Sequence, residues 1–163
     1  MQPSDLDYRG TPTPEIEESW QTLYNLPPIS IPHDRLKPLE KDSETNYIQV
    51  GTELDGEVMG YLVIFHQLHC LNTIRQYTYR NEYDYSNVTA FQAPDEIVRG
   101  HIDHCIETVR KALMCASDVS PLAFLVDESR PEGKKVDGDA NRKCRNYSKI
   151  QQWALENHAY PVQ

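Results

Sequence analysis

The sequence predicts a mainly α fold: a small helical domain with two long helices joined by long irregular loops. Three observations carry that expectation. Apolar residues recur at helical spacing in two long windows, no series of alternating strands is present, and no strand–helix repetition points to a parallel sheet. At 163 residues, one domain with a real core is the economical arrangement. Within it, residues 1–45 read as a proline-rich N-terminal arm whose one short helix packs on the body, and residues 46–163 as the helical body.

In the arm, Pro3, Pro12, Pro27, Pro28, Pro32 and Pro38 leave only Pro14 to Tyr24 as a helix. Thr13 can cap it, and Pro14 suits the first helical position, where a missing N–H costs nothing. Ile16, Trp20 and Leu23 then share a face, with Trp20 as the expected anchor onto the body. Tyr47 to Val50 reads as a short strand or merely extended chain. The first long helix is expected from near Glu57 to Tyr77, with Leu68, Leu71 and Ile74 along one side, beside the face carrying His66 and His69. A polar stretch holding Tyr79, Tyr83 and Tyr85 follows as loop.

The second long helix is expected from near Pro94 to Ala116. Ile102, Ile106, Val109 and Leu113 form its buried stripe, and His101, His104, Thr108 and Cys115 lie on the neighbouring face. Ser117 to Pro121 ends it, because proline cannot continue a helix. Asp127 to Arg142, charged and containing glycine, reads as a solvated loop. Tyr147 to Asn157 reads as a last short helix with Ile150, Trp153 and Ala154 facing inward.

The two long helices carry one pattern twice: His66-Gln-Leu-His69-Cys70 and His101-Ile-Asp-His104-Cys105. Residues three and four apart share a helix face, so each copy presents two imidazoles and a sulfur on one side. A lone helical histidine is more often a packed residue than a ligand. Two pairs with the same trailing cysteine point instead to a metal held between the helices by His66, His69, His101 and His104. Cys70 and Cys105 are either further ligands or partners in a disulfide that clamps the helices. His33 and His158, in proline-flanked and terminal segments, read as spectators.

Ligand type selects the metal. The Cys-x-x-Cys spacing of structural zinc is absent, and Gln67 and Leu68 stand where a zinc protease needs its glutamate base. Non-haem iron wants two histidines and a carboxylate, and Asp103 points away from its flanking histidines. A nitrogen-rich site suits copper, one ion or two, with dioxygen as oxidant. Glu107, one turn past His104, is placed to accept a hydrogen bond from a ligand imidazole, or else to stand on a solvated face. The tyrosines read as packing residues and loop anchors.

A net charge of -9 and a pI near 5.1 argue against nucleic acid as partner. The longest apolar run, Tyr61 to Phe65, is far short of the roughly 18 residues that span a bilayer, and there is no signal peptide. Four cysteines permit two disulfides. Cys115 with Cys144 is the favoured pair, and Cys70–Cys115 with Cys105–Cys144 the main rival. Asn87-Val-Thr89 and Asn146-Tyr-Ser148 fit the glycosylation acceptor pattern. Together with the even cysteines they favour the secretory-pathway lumen.

Four segments taken together resemble the fungal UstYa-like family of mycotoxin-biosynthesis proteins: PEIEESWQTLY, YLVIFHQLHCLNTIRQY, HIDHCIETVRKALMCASDVSP and CRNYSKIQQWALEN. The resemblance covers Tyr8 to Asn157 in order, and the doubled His-x-x-His-Cys signature is its most specific element. It implies oxidative tailoring of a fungal metabolite or ribosomally made peptide: cyclisation, hydroxylation, desaturation or halogenation at C–H bonds, with copper as cofactor. It makes His66, His69, Cys70, His101, His104 and Cys105 the signature residues. It also implies an N-terminal membrane helix before a lumenal domain; the residues given hold no such helix, as expected either of a chain trimmed of its anchor or of a soluble member. A homodimer, or a heterodimer with a related subunit, is compatible with it. So are a cyclase or isomerase that uses the histidines as general acid and base, and a non-catalytic accessory subunit.

Overall fold

The computed structural model describes residues 8–41, 46–50, 57–138 and 143–159. Residues 1–7 of the arm and the end of the 127–142 segment therefore lie outside the described residues. The fold is mainly α. Helix α1 spans Pro14–Tyr24, α2 Val63–Thr78, α3 Asp95–Ala116 and α4 Tyr147–Glu156. Two short antiparallel pairs accompany them: β1 (Ile29–Ile31) with β2 (Val58–Gly60), and β3 (Ala123–Val126) with β4 (Lys134–Asp137).

Helix α1 starts as its sequence dictates. Thr13 Oγ1 accepts the Ile16 N–H at 3.3 Å, Pro14 opens the helix, and Glu15 and Glu17 complement the positive end of the dipole. Helix α4 is capped likewise, by Asn146 Oδ1 accepting the Lys149 N–H at 3.0 Å. Helix α3 opens after Pro94 and closes where Ser117 takes a left-handed conformation, φ 41°.

The first long helix does not begin at Glu57. Residues 58–60 pair with 29–31, Ser30 opposite Met59, so this stretch is a strand, and Leu62 is still extended when the helix begins at Val63. Gln49 bridges to Val58, and the Val50 N–H donates to the Glu57 carbonyl at 2.8 Å, so the Tyr47–Val50 stretch is extended chain laid on β2.

The core forms where the end of α1, β1, the start of α2 and α4 meet. Ile29, Phe65 and Ala154 are buried there, and Tyr24, Leu26, Leu62, Ile64, Tyr147 and Ile150 pack around them. Phe65 meets the Tyr147 ring edge-on at 6.4 Å. Burying a side chain such as Phe65 stabilises by about 1.5–3 kcal/mol.

The expected apolar stripes on the long helices are only partly covered. Leu71 is 40% exposed, and on α3 Ile102 is buried while Ile106 is 47% and Leu113 69% exposed. Helix α2 instead buries Phe65, Cys70, Asn72, Thr73 and Gln76, because its core faces meet α1 and α3 through polar groups and thiols. Trp153, expected to face inward, is about half exposed beside buried Ala154.

The segment read as a solvated loop after Asp127 contains the return strand of a hairpin. The Asp127 N–H donates to the Gly133 carbonyl at 2.9 Å, Asp127 pairs with Arg130, and Lys134 lies 5.1 Å over the Phe124 ring. Four-residue strands, one of them carrying a single apolar residue, leave almost no alternation to detect. No helix among the described residues is long and apolar enough to cross a membrane.

Candidate metal centre

Helices α2 and α3 run antiparallel, and that register brings the two copies of the motif face to face. His66 lies opposite His104, ring centroids 5.6 Å apart, and His69 opposite His101 at 6.2 Å. Along each helix the spacing is similar, 6.4 Å for His66–His69 and 6.5 Å for His101–His104. The four rings thus form a closed four-membered array along the seam, each within 6.5 Å of two others. Beneath it Cys70 and Cys105 are fully buried against each other, within hydrogen-bonding reach.

The tightest donor set is not the four histidines. His66, Cys70 and His104 offer ligand atoms that all lie within 4.8 Å of one another, with Cys70 Sγ 3.7 Å from His66 Nε2. His69 and His101 flank this set one turn away and are half-buried. Two imidazoles and a sulfur are soft to borderline donors, a set that suits copper or zinc and not magnesium or calcium. The side chains present therefore fit the expected ion.

Electrostatics favour the neutral, ligating form of two rings. Although His66 is exposed at its outer edge, its contact with the seam lowers its pKa, first by desolvation and then through His104 and His101. Burial likewise lowers His69, with His101 and His66 adding to it. The Cys105 thiol is pushed up to about 12, by burial first and by the adjacent Cys70 next, so it is protonated at neutral pH.

Beside His66 and His69 lies a cavity of about 430 Å3 walled by Tyr24, Asn25, Leu26, Tyr61 and Phe65. The Tyr24 ring meets the edge of His69 at 5.3 Å. A hydrogen-bonded network reaching back through α2 into α1 holds that ring in place. Asn72 Nδ2 donates to the Tyr24 hydroxyl at 3.0 Å, and Arg75 Nε donates to Asn72 Oδ1 at 2.9 Å. Arg75 pairs with buried Glu17 at 2.5 Å, and Glu17 also accepts from Gln76 at 2.9 Å and the Tyr85 hydroxyl at 2.9 Å. The Arg75 guanidinium lies 5.2 Å over Trp20, which makes that anchor part of the same network. Thr73 donates to the His69 carbonyl at 2.9 Å.

Sequence reasoning missed Glu17, Tyr24, Asn72 and Arg75. The available signal was the run Asn72, Thr73 and Gln76, polar residues at helical spacing from Phe65 and Cys70, where a buried stripe should be apolar.

Other expected site residues take different places. Glu107 does not serve an imidazole: its carboxylate binds Arg110 at 2.6 Å and Lys111 at 3.5 Å, and the Arg110 hydrogen bonds hold its pKa down to about 2. All four cysteines are free thiols. Cys115, in the last turn of α3, and Cys144, before α4, are each exposed and unbonded, so the expected bridge between them is not formed. Cys70 lies against Cys105, which disfavours the rival pairing too. Asn87 and Asn146 are both exposed, and Asn146 is already engaged as the α4 cap. His33 and His158 stand outside the cluster.

An antiparallel helix pair with a histidine–cysteine cluster along its seam, braced by a third helix, defines the class of protein. The family is the one described as Mycotoxin biosynthesis protein UstYa, which matches residues 1–157, and the chain belongs to it. It is 57% identical over 157 residues to the UstYa family oxidase phomYc of Diaporthe leptostromiformis, covering 96% of this chain and 60% of that protein. It is 54% identical to phomYc' of the same organism, covering 96% of this chain and 53% of that protein. The transacylase cctO of Talaromyces islandicus is 34% identical over 94% of this chain and 53% of its own length. The chain thus spans 53–60% of the length of these relatives. No solved structure matches it.

Proposed function

We propose that this chain is the catalytic domain of a copper- and dioxygen-dependent oxidase that tailors a fungal secondary metabolite or ribosomally made peptide. The observation that carries the proposal is the convergence of His66, Cys70 and His104 donors within 4.8 Å, beside a cavity large enough for a side chain. The oxidase names of phomYc and phomYc' support the reaction class.

His66, Cys70 and His104 would hold the ion, with His69 and His101 close enough to complete the set or take a second ion. Copper supplies one-electron redox chemistry that zinc does not. The residues of the chain do the rest. Tyr24, Tyr61, Leu26 and Phe65 give the substrate an aromatic and aliphatic wall beside His66 and His69, and they exclude water from that side. Asn72, fixed by Arg75, holds the Tyr24 hydroxyl and so the ring that abuts His69. The lowered pKa values keep His66 and His69 neutral, with lone pairs free for a ligand or a proton.

A second reading is non-redox group transfer or cyclisation, with His66 and His69 as general bases. The transacylase name of cctO favours it. Metal analysis with electron paramagnetic resonance separates the two readings. Protein reconstituted with copper, and separately with zinc, is compared with His66→Ala and His104→Ala. Stoichiometric copper with a nitrogen-rich signal lost in both variants supports the oxidase, and stoichiometric copper without a signal points to a coupled pair. Folded protein that takes up no copper, or that prefers zinc, sinks the redox reading and leaves the transfer reading.

A further inference from the structure

A groove of about 580 Å3 lies between the first turn of α2 (Leu62, Val63, Ile64) and α4 (Tyr147, Ile150, Trp153). It is separate from the histidine cleft. Phe65 lines the cleft and Tyr147 the groove, and these two rings, edge-on at 6.4 Å, stand between them. Its walls are apolar and incompletely covered, with Val63 66% and Trp153 47% exposed. The volume is in the range of pockets that enclose a small ligand.

Charge at the rim runs against the rest of the chain. The sequence has 25 acidic residues against 16 basic ones, yet Arg145 and Lys149 border this groove and no carboxylate does. Neither cation has an ion pair among the described residues. Three features select the occupant. Apolar walls select a hydrophobic body, and two unneutralised cations at one edge select an anionic end. A planar guanidinium matches a carboxylate in two-point contact. A net charge of -9 disfavours multiply charged anions. The concavity argues against a membrane surface, which is met by protruding apolar side chains rather than a trough.

We propose that this groove binds an apolar carboxylate, its body on Ile150, Trp153 and Val63 and its carboxylate at Arg145 and Lys149. The site is independent of the metal centre and stands whether that centre is redox-active or not. It also accounts for a half-exposed tryptophan beside the buried Ala154 face of the same helix.

The test is calorimetric titration of the full chain with decanoate, decyltrimethylammonium and decanol below their aggregation limits, with tryptophan fluorescence in parallel. Trp153 lines the groove and Trp20, the other tryptophan, sits on α1. The expected result is one decanoate per chain, with affinity falling as salt rises, and the cationic amphiphile bound at least about tenfold more weakly. The Trp153→Phe variant should lose the fluorescence response. The double variant Arg145→Glu/Lys149→Glu should weaken decanoate by about tenfold or more, and so should Val63→Glu at a solvent-facing position. Each should keep its circular dichroism spectrum and zinc uptake. Decanoate affinity unchanged in the double variant overturns the proposal. So does equal affinity for all three probes, absence of binding to the folded chain, or binding to phosphatidylglycerol vesicles without binding of free decanoate.

Discussion

Helix α2 packs on two neighbours through polar groups, and the two contacts are built to opposite ends. Against α1, Glu17, Arg75, Gln76, Tyr85, Asn72 and Tyr24 hydrogen-bond to one another across a buried interface. Among the atoms of that network, Arg75 Nη1 alone is buried without a hydrogen-bond partner, and the guanidinium also has the Trp20 ring. Against α3, four imidazoles and two thiols meet with few bonds among themselves, and two of the rings are shifted towards the neutral form. The first contact has used its donors and acceptors internally, so its role is position. The second has kept its lone pairs, which is what the proposed metal site requires. A buried polar cluster is read by asking whether its capacity is already spent.

Breaking the α1 contact should have the largest effect. Glu17→Ala strands a buried guanidinium and should cost roughly 3–5 kcal/mol in urea unfolding, a large part of a domain's stability. If Glu17→Ala cost less than about 1 kcal/mol, the network would be decoration and not a brace. Breaking the α3 contact should do the reverse. Cys70→Ala removes one buried sulfur for about 1 kcal/mol yet should abolish stoichiometric metal uptake, as measured by metal analysis after dialysis. Retained uptake with the same affinity would exclude Cys70 from the donor set and return the site to the four histidines.

How much of this contrast was visible in the sequence follows from the range of the interactions. The start of α1 was legible because Thr13 and Pro14 act on their own turn. The seam was legible because a doubled His-x-x-His-Cys pattern needs only helical geometry to share a face. The start of α2 was not legible, since residues 58–60 are extended by pairing with 29–31, about thirty positions away in sequence. Glu17 looked like any first-turn acid on a solvated helix, and only Arg75, Gln76 and Tyr85, some sixty positions later, reveal its burial. Glu107 is the mirror case. Its spacing from His104 suggested a ring partner, but Arg110 and Lys111 on its own helix claim it first. That the ligand atoms of His66, Cys70 and His104 gather within 4.8 Å, with His69 and His101 one turn away, depends on an antiparallel register that no local pattern encodes.

A gentler perturbation uses pH. His66 and His69 titrate below their usual value in the folded chain, so the unfolded chain binds more protons as the medium is acidified. Their contribution to stability is present above the ordinary histidine pKa and is lost as pH falls through the lowered folded values. The metal-free protein should therefore lose stability on acidification below about pH 6.5. The double variant His66→Gln/His69→Gln should flatten that part of the profile while leaving the carboxylate-driven part at lower pH in place. An unchanged slope would place both rings in solvent and remove the electrostatic side of the contrast.

The smallest effect should fall at the thiols and would sharpen the contrast without breaking either contact. Cys115 and Cys144 are exposed, so both should react promptly with an aromatic disulfide reagent in the native, metal-free chain. Cys70 and Cys105 are fully buried, and Cys105 is pushed up to about 12, so this pair should react only on unfolding, at a rate that follows the opening equilibrium. Two fast and two slow equivalents are expected, and copper or zinc should slow the second pair further by stabilising the native seam. Glu17→Ala should accelerate the slow pair by about a hundredfold or more through global destabilisation, whereas Cys70→Ala should leave one slow equivalent accelerated only about fivefold. If all four thiols reacted at one fast rate, the seam would be open to solvent and the α3 contact could not be the ordered donor set that the four rings and two sulfurs describe.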